Sequence, residues 1–164
     1  MKQMLFQFQR RQLLPLTIVF AMFFSLNGHL FGQTPNDTLL ITETVLNYLE
    51  GLNDNDVSRV EKAMHPELAK RIIFKDEQGN YKLDIMGWSH LLYNIKTVDF
   101  TKFYKADAKP EESYQVEVIF YDISSDIATV KAIQNKFAFF DYIHLGKING
   151  EWKIINILWA WTAH

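Results

Sequence analysis

Residues 137–161 read FAFFDYIHLGKINGEWKIINILWAW, and this stretch decides the fold. Two apolar runs, Phe137–Ile148 and Glu151–Trp161, flank Asn149-Gly150. That dipeptide favours a two-residue hairpin turn, because both central positions need positive φ. Such a turn sets Ile148 opposite Glu151, and the register runs outward from there with a side-chain period of two. One face then holds Phe139, Asp141, Ile143 and Leu145 opposite Ala160, Leu158, Asn156 and Ile154, with Trp152 close by. The other holds Phe140, Tyr142 and His144 opposite Trp159, Ile157 and Ile155. Both faces are apolar, whereas an antiparallel sheet wetted on one side alternates apolar with polar residues. Each face therefore needs a cover.

Upstream, two more strands complete an antiparallel meander. Ser113–Ile123 alternates through Val116, Val118 and Phe120, and Ser124-Ser125-Asp126 turns the chain into Ile127–Asn135, with Ala128, Val130 and Ala132 on one side. Residues 101–112 are polar, contain Pro110, and read as a loop. Before them, Met86, Leu91, Leu92 and Ile95 have the spacing of a third helix, preceded by a short hairpin of Arg71–Lys75 and Tyr81–Ile85 around a polar turn. The first helix carries Ile41, Val45, Tyr48, Leu49 and Leu52 as one stripe, with Asn36 or Asp37 as its cap and Gly51 weakening its last turn. Asp56 caps a short second helix with Val57, Val60, Ala63 and Met64 inside, which Pro66 stops just after His65. The order of elements predicts an α+β fold, three N-terminal helices packed on a bent antiparallel sheet.

The helices cover one sheet face and leave none for the other. The economical cover is a second copy of the chain, a homodimer through the face with Phe140, Tyr142, His144, Ile157 and Trp159.

Length and composition frame this. The chain has 164 residues, 48% hydrophobic and 15% aromatic, which suits one packed domain and excludes a solvated, disordered chain. With no cysteine, thiolate nucleophiles, disulfides, iron–sulfur clusters and cysteine-type zinc sites are excluded. A net charge of −2 predicts no nucleic-acid partner. At the N-terminus Lys2, Arg10 and Arg11 precede an apolar run from Leu13 to Leu26. That pattern predicts a signal peptide over residues 1–32, with Gly32 or Gly28 before the cut, and an exported, periplasmic or secreted product with no stable membrane span after cleavage. An uncleaved anchor is the alternative. The remainder would be a flexible spacer, 33–37, and a single domain, 38–164, with 14 Lys and Arg against 19 Asp and Glu.

Two segments carry a family resemblance. Tyr48–Arg71, YLEGLNDNDVSRVEKAMHPELAKR, joins a helix, an acidic break and a short helix ending in His65-Pro66. Asp122–Ala132, DISSDIATVKA, and Phe139–Trp159, FFDYIHLGKINGEWKIINILW, supply the hairpins. Together they resemble the family named putative lumazine-binding proteins, within the nuclear transport factor 2-like superfamily, over residues 38–162. The resemblance implies a cone-shaped fold of three helices against a strongly bent sheet, an enclosed pocket, and dimerisation through the sheet. The superfamily includes isomerases, dehydratases and cyclases beside members that only bind, so fold alone does not select a chemistry.

On such a fold the helix side of the sheet faces the pocket, which would place Asp141, Asn156 and Leu158 there. A carboxylate among apolar neighbours has its charged form disfavoured and serves as a general base; the alternative for Asp141 is a buried carboxylate tied to backbone or to a hydroxyl. Asn156 is either an oxyanion donor or a satisfied polar residue. His65 either faces the pocket mouth or caps a helix C-terminus. Tyr48 is core, or its hydroxyl reaches a ligand. Trp88 is a pocket plug or a hydrophobic anchor. Metal ligation is not expected, because Asp141 and His144, three apart on a strand, point to opposite faces. No phosphate-cradling or dinucleotide-binding motif occurs, so no cofactor is expected. Three functions fit: a binding module for a small, largely apolar molecule, a lyase or isomerase using Asp141 with His65 or Tyr48, and an interaction domain whose interior is filled by its own side chains.

Overall fold

The computed structural model describes residues 35–109 and 111–162. The expected signal peptide, residues 1–32, lies outside them.

Helix α1 spans Pro35–Asn53. It begins inside the segment read as a spacer, since the fixed φ of proline suits a first helical position. Ile41, Val45, Tyr48, Leu49 and Leu52 are all buried, the stripe expected from their spacing. Asp37 has a different task from the expected cap. Its carboxylate accepts from Trp152 Nε1 at 3.0 Å and from Lys147 Nζ at 2.8 Å, which ties the helix's first turn to the last hairpin. Asn55 takes a positive φ of 53° in the acidic break, and Asp56 then caps α2, Val57–Ala63, by accepting from the Arg59 amide. Gly51 is buried against α2: a Cβ there would lie 2.9 Å from Val60 Cγ2 and 3.0 Å from Arg59 Cβ. Its absence of side chain is what lets the two helices approach.

Strand β1 runs Met64–Lys75 and starts earlier than the expected Arg71. Pro66 therefore sits in a strand and not at a helix end. It falls where β1 departs from its neighbour, between the pairs Met64–Ile154 and Ala69–Asn156, so its missing N–H removes no ladder bond. Strand β2, Tyr81–Gly87, returns antiparallel, and α3, Trp88–Thr97, follows with Leu91, Leu92 and Ile95 buried. A short 3₁₀ turn, Phe100–Phe103, opens the segment expected to be a plain loop. Then come β3, Val116–Ser124, β4, Ile127–Gln134, β5, Phe139–Ile148, and β6, Glu151–Trp161.

The six strands form one sheet in the order β2-β1-β6-β5-β4-β3. The expectation of a wholly antiparallel sheet is corrected here, because β1 pairs with β6 in parallel. The meander enters at the far edge and works back, so its last strand arrives beside β1 pointing the same way.

A second correction falls on the last hairpin. The pairs Ile148–Glu151 through Leu145–Ile154 follow the turn as expected, but the next pair is His144–Asn156. Ile155 is an extra residue, a β-bulge, and beyond it the register is one position off the regular ladder: Ile143 pairs with Ile157 and Asp141 with Trp159. Ile157, fully buried, and Trp159 thereby turn to the helix side, while Asn156 and Leu158 turn away from it beside His144 and Tyr142. The helix-side face, with Leu68, Val130, Ile143, Ile154 and Ile157, forms one core with the stripes of all three helices.

Candidate functional site

The core is not filled at one end. A cavity of about 240 Å³ opens between α1, α3, the 3₁₀ turn and the inner ends of β1, β5 and β6. Phe139, Trp159 and Trp161 wall it from the sheet, Phe100 and Phe103 from the 3₁₀ turn, and Leu91, Asn94 and Met86 from α3 and the strand before it. Tyr48 and Lys70 reach it from α1 and β1. The rings pack edge to face: Phe139 on Trp159 at 5.6 Å and Trp159 on Trp161 at 5.0 Å between centroids. An artificial cavity of roughly 150 Å³ holds benzene, so this volume suits a molecule of one or two rings.

The polar groups are concentrated at one point. Lys70 is an inward residue of β1, between Leu68 and Ile72, and its side chain is only 6% exposed. Its Nζ donates to Asp141 Oδ1 at 2.8 Å and to the Tyr48 hydroxyl at 2.8 Å, and that hydroxyl donates to Asp141 Oδ2 at 3.4 Å. Three rings surround the ammonium, with centroids of Trp159, Tyr48 and Phe139 at 5.0, 5.4 and 5.5 Å. Such ring faces attract a desolvated cation. Burial pulls the ammonium's pKa below the usual lysine range, an effect the Asp141 carboxylate partly opposes. Burial, and then the Asp141 charge, pushes the Tyr48 phenol above its usual range. Tyr114 is pushed up in the same way, burial first and Asp141 second.

Of the residues singled out in the sequence, Tyr48 lines this cavity. Asp141 is fully buried on the expected side of its strand, behind Lys70, and it is the carboxylate tied to a hydroxyl that the sequence offered as an alternative. Asn156 and Leu158 are not brought to the cavity, because the bulge at Ile155 turns them to the opposite face. There Asn156 accepts from Arg71 at 2.5 Å and contacts His144 Nδ1 at 3.1 Å, while Leu158 is 42% exposed. His65 is at the start of β1, where its Nδ1 accepts from the Glu67 amide; it neither caps a helix nor lines the cavity. Trp88 opens α3, half-buried, with its Nε1 buried and unpartnered, and lies outside the lining. Lys70 was missed. Its signal is the alternation Leu68, Lys70, Ile72, which a strand beginning at Arg71 does not contain. Among the described residues no cluster of three or more His, Asp or Glu has metal-binding geometry.

A mixed six-stranded sheet with helices on one face is the fold shared with solved nuclear transport factor 2-like proteins. The chain belongs to the family described as "Putative lumazine-binding", whose model matches residues 36–160. Among solved structures it is similar to an NTF2-like protein of unknown function from Shewanella baltica, with 19% identity, a TM-score of 0.61, and 79% of this chain and 97% of that one covered. A second such protein, from Methylobacillus flagellatus, also has 19% identity and a TM-score of 0.61, with 81% and 98% covered. A ketosteroid isomerase-like protein from Erwinia carotovora is similar at 16% identity and a TM-score of 0.53, with 80% and 100% covered. At these identities the likeness concerns the fold. No curated protein matches the sequence.

Proposed function

We propose that this chain is a binding domain that holds one small, largely apolar molecule in the cavity between α3 and the sheet. The observation that carries this is an unfilled, aromatic-walled space that opens directly beside the buried core. Most small-molecule sites are concave and apolar, with a few placed polar groups. Against an acid–base role for Asp141 stands its placement: both oxygens are already engaged, and Lys70 and Tyr48 lie between it and the cavity. An isomerase or lyase would need a base that touches the bound molecule.

We also propose export, on the strength of the basic and apolar N-terminal pattern, and a homodimer through the sheet face opposite the helices. The bulge revises that face: Phe140, Tyr142 and His144 stay on it, and Asn156 and Leu158 replace Ile157 and Trp159.

The test is native mass spectrometry of protein isolated from its own compartment, with a Met86→Trp variant as control. Bound mass released on denaturation, and lost when the indole fills the cavity, supports binding. A ligand-free chain in both proteins, with no uptake of either coumarin or naphthalene by wild type in calorimetry, refutes it. The same spectra report subunit number and the mass of the mature N-terminus.

A further inference from the structure

An ammonium has three N–H donors. Lys70 places two of them, on Asp141 and on Tyr48, at 2.8 Å each. Its third has no hydrogen-bond acceptor among the described residues: the remaining neighbours are the ring faces of Trp159, Phe139 and Tyr48, and beyond them the cavity. The Tyr48 hydroxyl has both a donor and an acceptor partner already. Asn94, the other polar side chain on the cavity wall, turns its amide N–H₂ to Met86 Sδ at 3.7 Å. So the cavity presents one charged donor with an unplaced N–H at its base, the Asn94 amide on its α3 wall, and an otherwise apolar, flat-sided remainder.

Charge narrows the class further. Lys70 and Asp141 balance each other in the buried site. An anionic ligand would add a third buried charge with no counter-charge, and burying an unpaired charge is costly. A hydrocarbon would leave the donor unmet. We infer that the cavity selects a neutral, flat, one- or two-ring molecule carrying a single acceptor oxygen, a lactone or ring-ketone carbonyl, whose oxygen takes the third N–H of Lys70. This rests on the binding role proposed above and sharpens it. It also sets the chain apart from its family's name: lumazine carries two carbonyls and several ring nitrogens, more polar atoms than Lys70 and Asn94 can meet on a wall that is otherwise aromatic and aliphatic.

Calorimetric titration of the intact protein with four probes of similar size tests it: coumarin, naphthalene, 2-naphthoate and lumazine. Coumarin is expected to bind at least about tenfold tighter than each of the other three, the value of one hydrogen bond to a charged group. Removing Lys70 alone would strand Asp141, so the control is the paired variant Lys70→Met with Asp141→Leu, since buried ion pairs are often replaceable by apolar residues of similar volume. In that variant coumarin and naphthalene should bind within about threefold of each other, the hydrogen bond having gone. Naphthalene binding wild type as well as coumarin overturns the inference and leaves the binding role standing. So does 2-naphthoate or lumazine binding tighter than coumarin, or an unchanged coumarin preference in the paired variant. Failure of all four to bind wild type removes the binding role and the inference with it.

Discussion

Lys70 is the residue on which the site turns. Its ammonium, the Asp141 carboxylate and the Tyr48 hydroxyl form a closed, buried group in which each needs the others. Lys70→Ala should cost about 3–5 kcal/mol, because it leaves a carboxylate uncompensated in the core. The paired Lys70→Met with Asp141→Leu variant should lie much closer to wild type, and urea denaturation of both would show it. The phenols set a pH limit. Tyr48 and Tyr114 have folded pKa values raised above their unfolded ones, so their contribution is complete below pH ~10 and is lost as pH rises beyond it. Lys70 acts with the opposite sign. Its folded pKa is lowered, so the cost of its charge is relieved as pH climbs toward ~10.4 and then no longer varies. Above pH ~10.4 stability should therefore fall, Tyr48 and Tyr114 adding about one proton each to the slope and the more exposed Tyr104 and Tyr121, also raised, adding to it. Tyr48→Phe should lower that slope by about one proton, whatever its effect at neutral pH. An unchanged slope in the variant would show that Tyr48 ionises as freely folded as unfolded.

At the scale of elements, one residue of β6 sorts inside from outside. Ile155 is the extra residue of the bulge, so deleting it would restore a regular ladder while leaving Ile157 and Trp159 facing the core. The deletion should fold, within about 3 kcal/mol of wild type. Inserting an alanine after Ile157 should abolish cooperative unfolding, because it turns Trp159 outward and the exposed Leu158 inward, and register errors exchange whole faces. Denaturation of the two variants, followed by tryptophan emission, separates the cases. The α1–α2 contact makes a second test. Alanine ordinarily favours a helix over glycine, yet Gly51→Ala should destabilise by about 1–3 kcal/mol, because its methyl would sit 2.9 Å from Val60 Cγ2.

Across the whole molecule, the sheet face turned away from the helices exposes Ile73, Leu83, Ile85, Tyr142 and Leu158. Lys131 lies over the Phe140 and Tyr142 rings on the same face, and Arg71, Asn156 and His144 form a polar string through it. Apolar surface with a few satisfied polar groups suits a self-complementary interface. Sedimentation should give the mass of two chains at micromolar concentration, and Leu158→Glu should return one. A monomeric wild type would refute the dimer and leave the cavity's role intact.

Periodicity alone determined most of the elements. The stripe from Ile41 to Leu52, the Asp56 cap, the Asn149-Gly150 turn and the alternation of β4 are each written within a few neighbouring residues, and local rules read them. The burial of Asp141 and Tyr48 was equally legible. What only the tertiary structure decided were the events that depend on distant partners. The parallel pairing of β1 with β6 joins segments 87 positions apart, as in Ile72–Trp159 and Ala69–Asn156, and no local pattern encodes it. The bulge leaves the composition of β6 unchanged and yet exchanges Asn156 and Leu158 for Ile157 and Trp159, since a period of two carries no memory of an extra residue. Lys70 became part of the site for the same reason. A lysine in sequence is a surface residue by default, and it is buried here because the fold brings Asp141 and Tyr48 within 2.8 Å of its charge.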